Sequence, residues 1–145
     1  MPRLDAERIE LLRSLTHATA TIRRQIDADL IAEYDLPVAW FEVMSALQRD
    51  GGTMRVNDLC AALDEVASSL SRRLDRMDAE GYITREPTPS PTDRRSVSVL
   101  LTREGRMLWR DANVIYRRAV QQHFAHVVTD SDINALHRLL SKLSR

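Results

Sequence analysis

The stretch from Val66 to Thr102 constrains the fold more than any other part of the chain. Leu70, Leu74 and Met77 recur at i, i+4 and i+7, which predicts a helix with one apolar face. Ser68, Ser69, Ser71, Arg72, Arg73 and Arg76 crowd its other faces. Gly81 suits the end of that helix, because glycine adopts the left-handed conformation without steric cost. Tyr82–Glu86 is short and β-prone. A loop carrying Pro87, Pro89 and Pro91 follows, with Arg94 and Arg95 near its tip. Val97, Val99 and Leu101 then alternate with Ser96, Ser98 and Leu100, the pattern of a half-buried returning strand.

A helix bearing Ser and Arg, followed by two strands around a basic loop, has the chemistry to meet DNA. Helix N-termini attract phosphate through their free N–H groups. Ser68, Ser69 and Ser71 can donate to phosphate or base edges. Arg72 and Arg73 can reach guanine or backbone, and Arg76 phosphate. Arg94 and Arg95 can reach phosphates or a minor groove. Local ion pairs, Arg72 with Asp75 or Arg76 with Glu80, would put the same residues on a merely solvated face, and the loop could be an ordinary surface loop.

S-S-L-S-R-R-L-D-R-M-D-A-E-G-Y-I-T-R resembles the recognition helix and first wing strand of MarR-type winged helix-turn-helix regulators. P-T-D-R-R-S-V-S-V-L-L-T-R-E-G resembles their wing, with D-x-R at Asp93 and Arg95 and the closing L-T-x-x-G at Leu101, Thr102 and Gly105. Upstream, Leu36, Phe41, Val43 and Met44 match the family's L-T-x-x-Q-aromatic-x-V-L pattern. The chain departs from the family at Pro37, where a capping Thr is usual, and near Val66, where Ser is. The resemblance implies a mainly α fold, with a wing of two to three short strands. It also implies a homodimer that binds a pseudo-palindromic operator on double-stranded DNA as a ligand-responsive repressor. Arg95 would enter or skirt the minor groove. Asp93 would brace the wing, for instance against a recognition-helix arginine. The effector would be a small aromatic molecule in a cleft between the dimerisation helices and the reader, a cleft that His17, Trp40 and Trp109 could line.

One domain spanning residues 1–145 is expected, with dimerisation helices at 4–33 and 106–145 and a winged helix-turn-helix region at 37–102. Residues 4–33 read as one long helix with an apolar seam of Leu11, Leu15, Ala18, Ile22, Ile26 and Leu30. It can pack on a partner subunit or fold back on its own domain. Pro37 suits a first helical position. Thr53-Met54-Arg55 can add a third strand. Asn57 is the expected cap of a short helix buried through Leu59 and Leu63, and Asp64 that of the recognition helix. Thr102 should cap a long helix with a stripe of Leu108, Ala112, Ile115, Ala119 and Val120. Thr129 to Asp132 should open the last one through a capping box, with Ile133, Leu136, Leu140 and Leu143 as its seam.

Composition narrows the alternatives. Aromatics are only 5% and glycines and prolines few, which favours helix. Net charge is zero, with 21 basic and 21 acidic residues, so any nucleic-acid signal must be local. All the basic residues but Lys142 are arginine, the better residue for bidentate contacts; a compositional bias of the source genome would give the same count. No apolar run approaches a membrane span and the N-terminus lacks a signal-peptide core, so no membrane and a cytoplasmic location are expected. The single cysteine, Cys60, excludes an internal disulfide and reads as a small buried residue. His123 and His126 have no clear third ligand, so no metal or other cofactor is expected. There is no Gly-rich phosphate loop, G-x-S-x-G or H-E-x-x-H, which argues against an enzyme. The rival to a DNA reader is a winged-helix protein-interaction module without DNA binding.

Overall fold

The computed structural model describes residues 4–145; the first three residues of the expected 1–145 domain lie outside it. Helix α1 runs Ala6–Tyr34, capped by Asp5, whose carboxylate accepts the Arg8 backbone N–H. Its 29 residues span about 43 Å at 1.5 Å per residue. The seam divides: Ile26 and Leu30 are buried and Ile22 half-buried, whereas Leu11, Leu15 and Ala18 are exposed. Only the second half of α1 packs within its own chain, chiefly on α5 (Arg103–His123).

Helix α2 (Val38–Arg49) is the centre of the core, burying Val38, Phe41, Val43, Met44, Ala46 and Leu47. Pro37 is its N-cap rather than its first residue. Proline has no side-chain acceptor, and Asp27 of α1 supplies one, taking the Val38 N–H at 2.8 Å. Strand β1 (Thr53–Arg55) is the expected third strand. Helix α3 (Val56–Leu63) starts one residue before Asn57, which is therefore not its cap. Pairing with Ser98 holds Arg55 extended, so the chain turns helical directly after it. Asp64 does not cap the next helix either; it ends α3 in the left-handed region at φ 53°. Aspartate suits both places, since it caps helix starts and tolerates that conformation.

Helix α4 (Ala67–Ala79) buries Leu70, Leu74 and Met77 as the periodicity predicts. At its end Gly81 takes φ 82°. The Gly81 N–H donates to Asp78 O and the Tyr82 N–H to Met77 O, closing a Schellman turn. Strands β2 (Ile83–Pro87) and β3 (Val97–Leu101) flank the loop, and the antiparallel sheet runs β1-β3-β2. Ser98 is buried, contrary to the outward serine expected: it lies between Arg55 and Glu86 on the two neighbouring strands, and its hydroxyl pairs with that of Thr88 at 2.9 Å.

Thr102 caps α5, accepting the Gly105 N–H at 3.0 Å. Ala112 and Ala119 are buried, and Leu108, Ile115 and Val120 pack half-buried beside them. A short 3-10 turn, Ala125–Val127, leads to α6 (Asp130–Leu143). The Thr129–Asp132 capping box is formed in both directions, and the Thr129 backbone N–H holds the Asp132 carboxyl below the usual carboxylate range. The α6 seam is exposed along its whole length. Among the described residues no helix is long and apolar enough to cross a membrane.

Candidate nucleic-acid interface

The first turns of α4 form one side of the site. Its N-cap, Val66, offers no side-chain acceptor, so the first N–H groups of the helix have no side-chain cap. Ser68, Ser69, Ser71 and Arg72 are exposed in the first half of the helix, and Arg76 is exposed in its last turn. Neither ion pair that would have occupied the arginines locally is formed; among the described residues Arg72 and Arg76 make no salt bridge. Arg73 differs. Its guanidinium forks onto Glu65 at 2.8 and 2.7 Å, and its side chain is only 14% exposed.

The loop between β2 and β3 forms the other side. Its stem continues past the sheet, with the Thr88 N–H donating to Ser96 O at 2.9 Å. Ser90 and Asp93 exchange backbone hydrogen bonds across the tip. The Asp93 carboxylate accepts the Arg95 backbone N–H at 2.9 Å, and its backbone N–H donates to the Ser90 hydroxyl. Asp93 therefore makes its bonds inside the wing itself, not with an arginine of α4, because the tip turn places the nearest donors within two or three residues. Arg94 and Arg95 stand exposed and form no ion pair among the described residues.

What joins the two sides escaped the sequence reading. Arg85 on β2 reaches α4, meeting Asp75 at 2.6 Å and Asp78 at 3.2 Å. The Asp75 hydrogen bond, with that to Asp78, raises the Arg85 pKa further above its ordinary value. Arg55, at the base of the wing, donates to the Ser96 hydroxyl at 2.9 Å. These partners are seven to 41 residues apart, so no helical or strand periodicity marks them.

Away from this face, Trp109 lines a cavity of about 480 Å³ together with Phe41, Ser45, Arg49, Asn113 and Tyr116. The Trp109 indole N–H donates to Ser45 Oγ at 2.9 Å, and Phe41 stacks on Tyr116. Trp40 lines a different hollow, of about 330 Å³, and stands edge-on to Tyr82. His17 is exposed on α1 and lines neither, so these three residues do not share a cleft within one chain. His123 pairs with Asp29 of α1 at 2.8 Å, and among the described residues no three His, Cys, Asp or Glu side chains gather as a metal site. Cys60 is half-buried rather than fully enclosed.

A short helix, a tight turn, a second helix and a β-hairpin closed by a third strand define a winged helix-turn-helix protein. The MarR family model matches residues 34–96, from the end of α1 to the wing. The regulator PecS of Dickeya dadantii (strain 3937) is 31% identical over 124 residues, covering 84% of this chain and 69% of that protein. A cysteine-to-serine mutant of E. coli MarR, solved with operator DNA, superposes with a TM-score of 0.80 at 25% identity, covering 98% and 99% of the two chains. BpsR of Bordetella bronchiseptica, whose DNA binding is regulated by 6-hydroxynicotinic acid, superposes with a TM-score of 0.77 at 25% identity, covering 94% and 99%. The chain belongs to the MarR family of transcriptional regulators.

Proposed function

We propose that the protein is a homodimeric repressor that reads a pseudo-palindromic operator and releases it when a small aromatic effector binds. Residues 37–102 are the reader, and 4–33 with 106–145 the dimerisation region. The observation that carries the reading is the exposed face shared by α4 and the wing, where four arginines are left without ion-pair partners among the described residues. Ser68, Ser69, Ser71, Arg72 and Arg76 enter the major groove, while Arg94 and Arg95 reach the flanking phosphates and minor groove. Asp93 braces the wing through the Arg95 backbone. Half-sites lie about 10 bp apart or at a multiple of that spacing, as two-fold symmetry requires. The aromatic walls of the Trp109 cavity suit a planar effector, and the effector acts only as far as it binds the DNA-competent and incompetent states unequally.

Selection of bound sequences from a random duplex pool, followed by binding across a salt series, tests this reading. An inverted repeat whose affinity falls steeply with salt is the expected result. No enriched sequence from a folded protein would favour a winged-helix interaction module, the reading that the zero net charge supports. Two substitutions sharpen the test. Arg95→Ala should weaken operator binding at least tenfold and lower the salt slope by about 0.9 per subunit, as expected for one lost phosphate contact. Its thermal stability should be unchanged, because the side chain is exposed. Wild-type affinity in that variant would sink the wing assignment. Arg85→Ala should free the wing from α4, weakening operator binding about tenfold while costing only about 1 kcal/mol of stability, since the pairs are partly exposed. Calorimetry and fluorescence anisotropy on the same sample check both numbers.

A further inference from the structure

We infer that Arg73, although it lies in the DNA-reading helix, is a positioning residue that clamps the turn of the helix-turn-helix through Glu65. The inference rests on the DNA-binding reading above and departs from treating every arginine of α4 as a contact. Arg72 and Arg76 are exposed, whereas the Arg73 side chain is only 14% exposed and that of Glu65 26%. Both guanidinium nitrogens are engaged, Nη1 at 2.8 Å and Nη2 at 2.7 Å from the two carboxylate oxygens. Such a two-bond fork fixes orientation as well as distance.

The location of the pair gives it leverage. Glu65 sits between Asp64, the left-handed residue that ends α3, and Val66, the N-cap of α4. Its backbone N–H is tied to Cys60 O of α3 at 3.0 Å. Arg73 lies eight residues on, and side chains on a helix lean toward its N-terminus. The fork therefore runs from the middle of α4 back to the turn and holds the angle between α3 and α4. Among the described residues no other side-chain hydrogen bond spans the turn, since Val66 has no capping side chain and the first turn of α4 has no acidic residue. A guanidinium already neutralised by a carboxylate also releases no counterion from DNA when the complex forms. Arg73 should then contribute to affinity without contributing to its salt dependence.

The test compares Arg73→Ala, Glu65→Gln and Arg72→Ala on the selected operator, by fluorescence anisotropy over a salt series and by amide hydrogen exchange of the free protein. The clamp predicts that Arg73→Ala and Glu65→Gln each weaken binding about tenfold at every salt concentration, with the slope unchanged. The double variant should be no worse than the weaker single one, because both remove the same interaction. Exchange at residues 66–70 should quicken about tenfold in both. Arg72→Ala should instead lower the slope by about 0.9 per subunit. Direct contact predicts the opposite sign for Glu65→Gln, which would free the arginine and tighten binding. Tighter or unchanged binding in Glu65→Gln, or a reduced slope in Arg73→Ala, would overturn the clamp. Should the wild-type protein bind no duplex, the DNA-binding reading fails separately. The exchange data then decide alone: quickening in both variants supports the clamp, and unchanged exchange overturns it.

Discussion

Gly105→Ala should lose about 3 kcal/mol or more of stability and melt about 10 °C below wild type. A rule based on helix propensity gives the opposite sign, since alanine is better than glycine inside a helix by about 1 kcal/mol. Packing decides against it. A Cβ on Gly105 would lie 2.1 Å from the Tyr82 carbonyl oxygen and 2.9 Å from Leu101 Cδ1. The carbonyl cannot withdraw cheaply, because it accepts the Thr102 N–H at 3.1 Å, and the Thr102 hydroxyl donates to Gly81 O at 2.6 Å. The start of α5 is thus pressed onto the turn between α4 and β2. Against a total stability of about 5–15 kcal/mol, the loss is large. Gly51→Ala is the control: nothing lies within 4 Å, and only the positive φ of 82° is strained, for about 1 kcal/mol. Thermal denaturation of both variants measures the contrast. A Gly105→Ala protein as stable as wild type would show that this packing is wrong.

Leu136→Glu combined with Leu140→Glu should dissociate the proposed dimer. Within one chain Ile133, Leu136, Leu140 and Leu143 of α6 are 37–68% exposed, and Leu11, Leu12 and Leu15 on the first half of α1 are 36–66% exposed. A 14-residue helix is marginal alone in water and needs packing on its apolar face. Patches of this kind mark interfaces. Each buried leucine contributes about 1.5–3 kcal/mol, and a two-fold axis doubles every substitution. Leu136 and Leu140 are 37% and 53% exposed in one chain, so losing the burial of that remainder in both chains should cost the dimer about 3–5 kcal/mol, roughly a hundred- to a few-thousand-fold in its dissociation constant. Operator binding should fall by about a hundredfold or more, since each reader then binds without the effective concentration of the other. Sedimentation velocity and operator binding are the measurements. A dimer of undiminished DNA affinity in the double variant would remove the termini as the dimerisation region.

Helix α4 was legible because its signals are local. Leu70, Leu74 and Met77 repeat at helical spacing, Gly81 ends the run, and Thr102 and Thr129 are capping residues used as such. Asn57 and Asp64 misled for an equally local reason. Both residue types serve helix starts and left-handed ends alike; the pairing of Arg55 with Ser98 across the sheet moved the start of α3 ahead of Asn57, and Asp64 took the left-handed end of that helix. The serine alternation in β3 misled at Ser98, because alternation assigns faces without saying which side chains from neighbouring strands and the loop cover them; Ser98 lies between Arg55 and Glu86 and bonds Thr88.

Periodicity, punctuation and the basic loop thus determined, from the sequence alone, the order of the elements and which residues of α4 and of the loop between β2 and β3 lie on an outer face. These are properties of near neighbours along the chain, set by backbone sterics and hydrophobic spacing. Tertiary structure decided what those residues are free to do. Of the three arginines in α4, it left Arg72 and Arg76 exposed and turned Arg73 onto Glu65. It drew Asp75 and Asp78 to Arg85, and Asp27 to the bare start of α2. A charged side chain takes the nearest opposite charge or free donor in space, and that neighbour is set by how the elements pack.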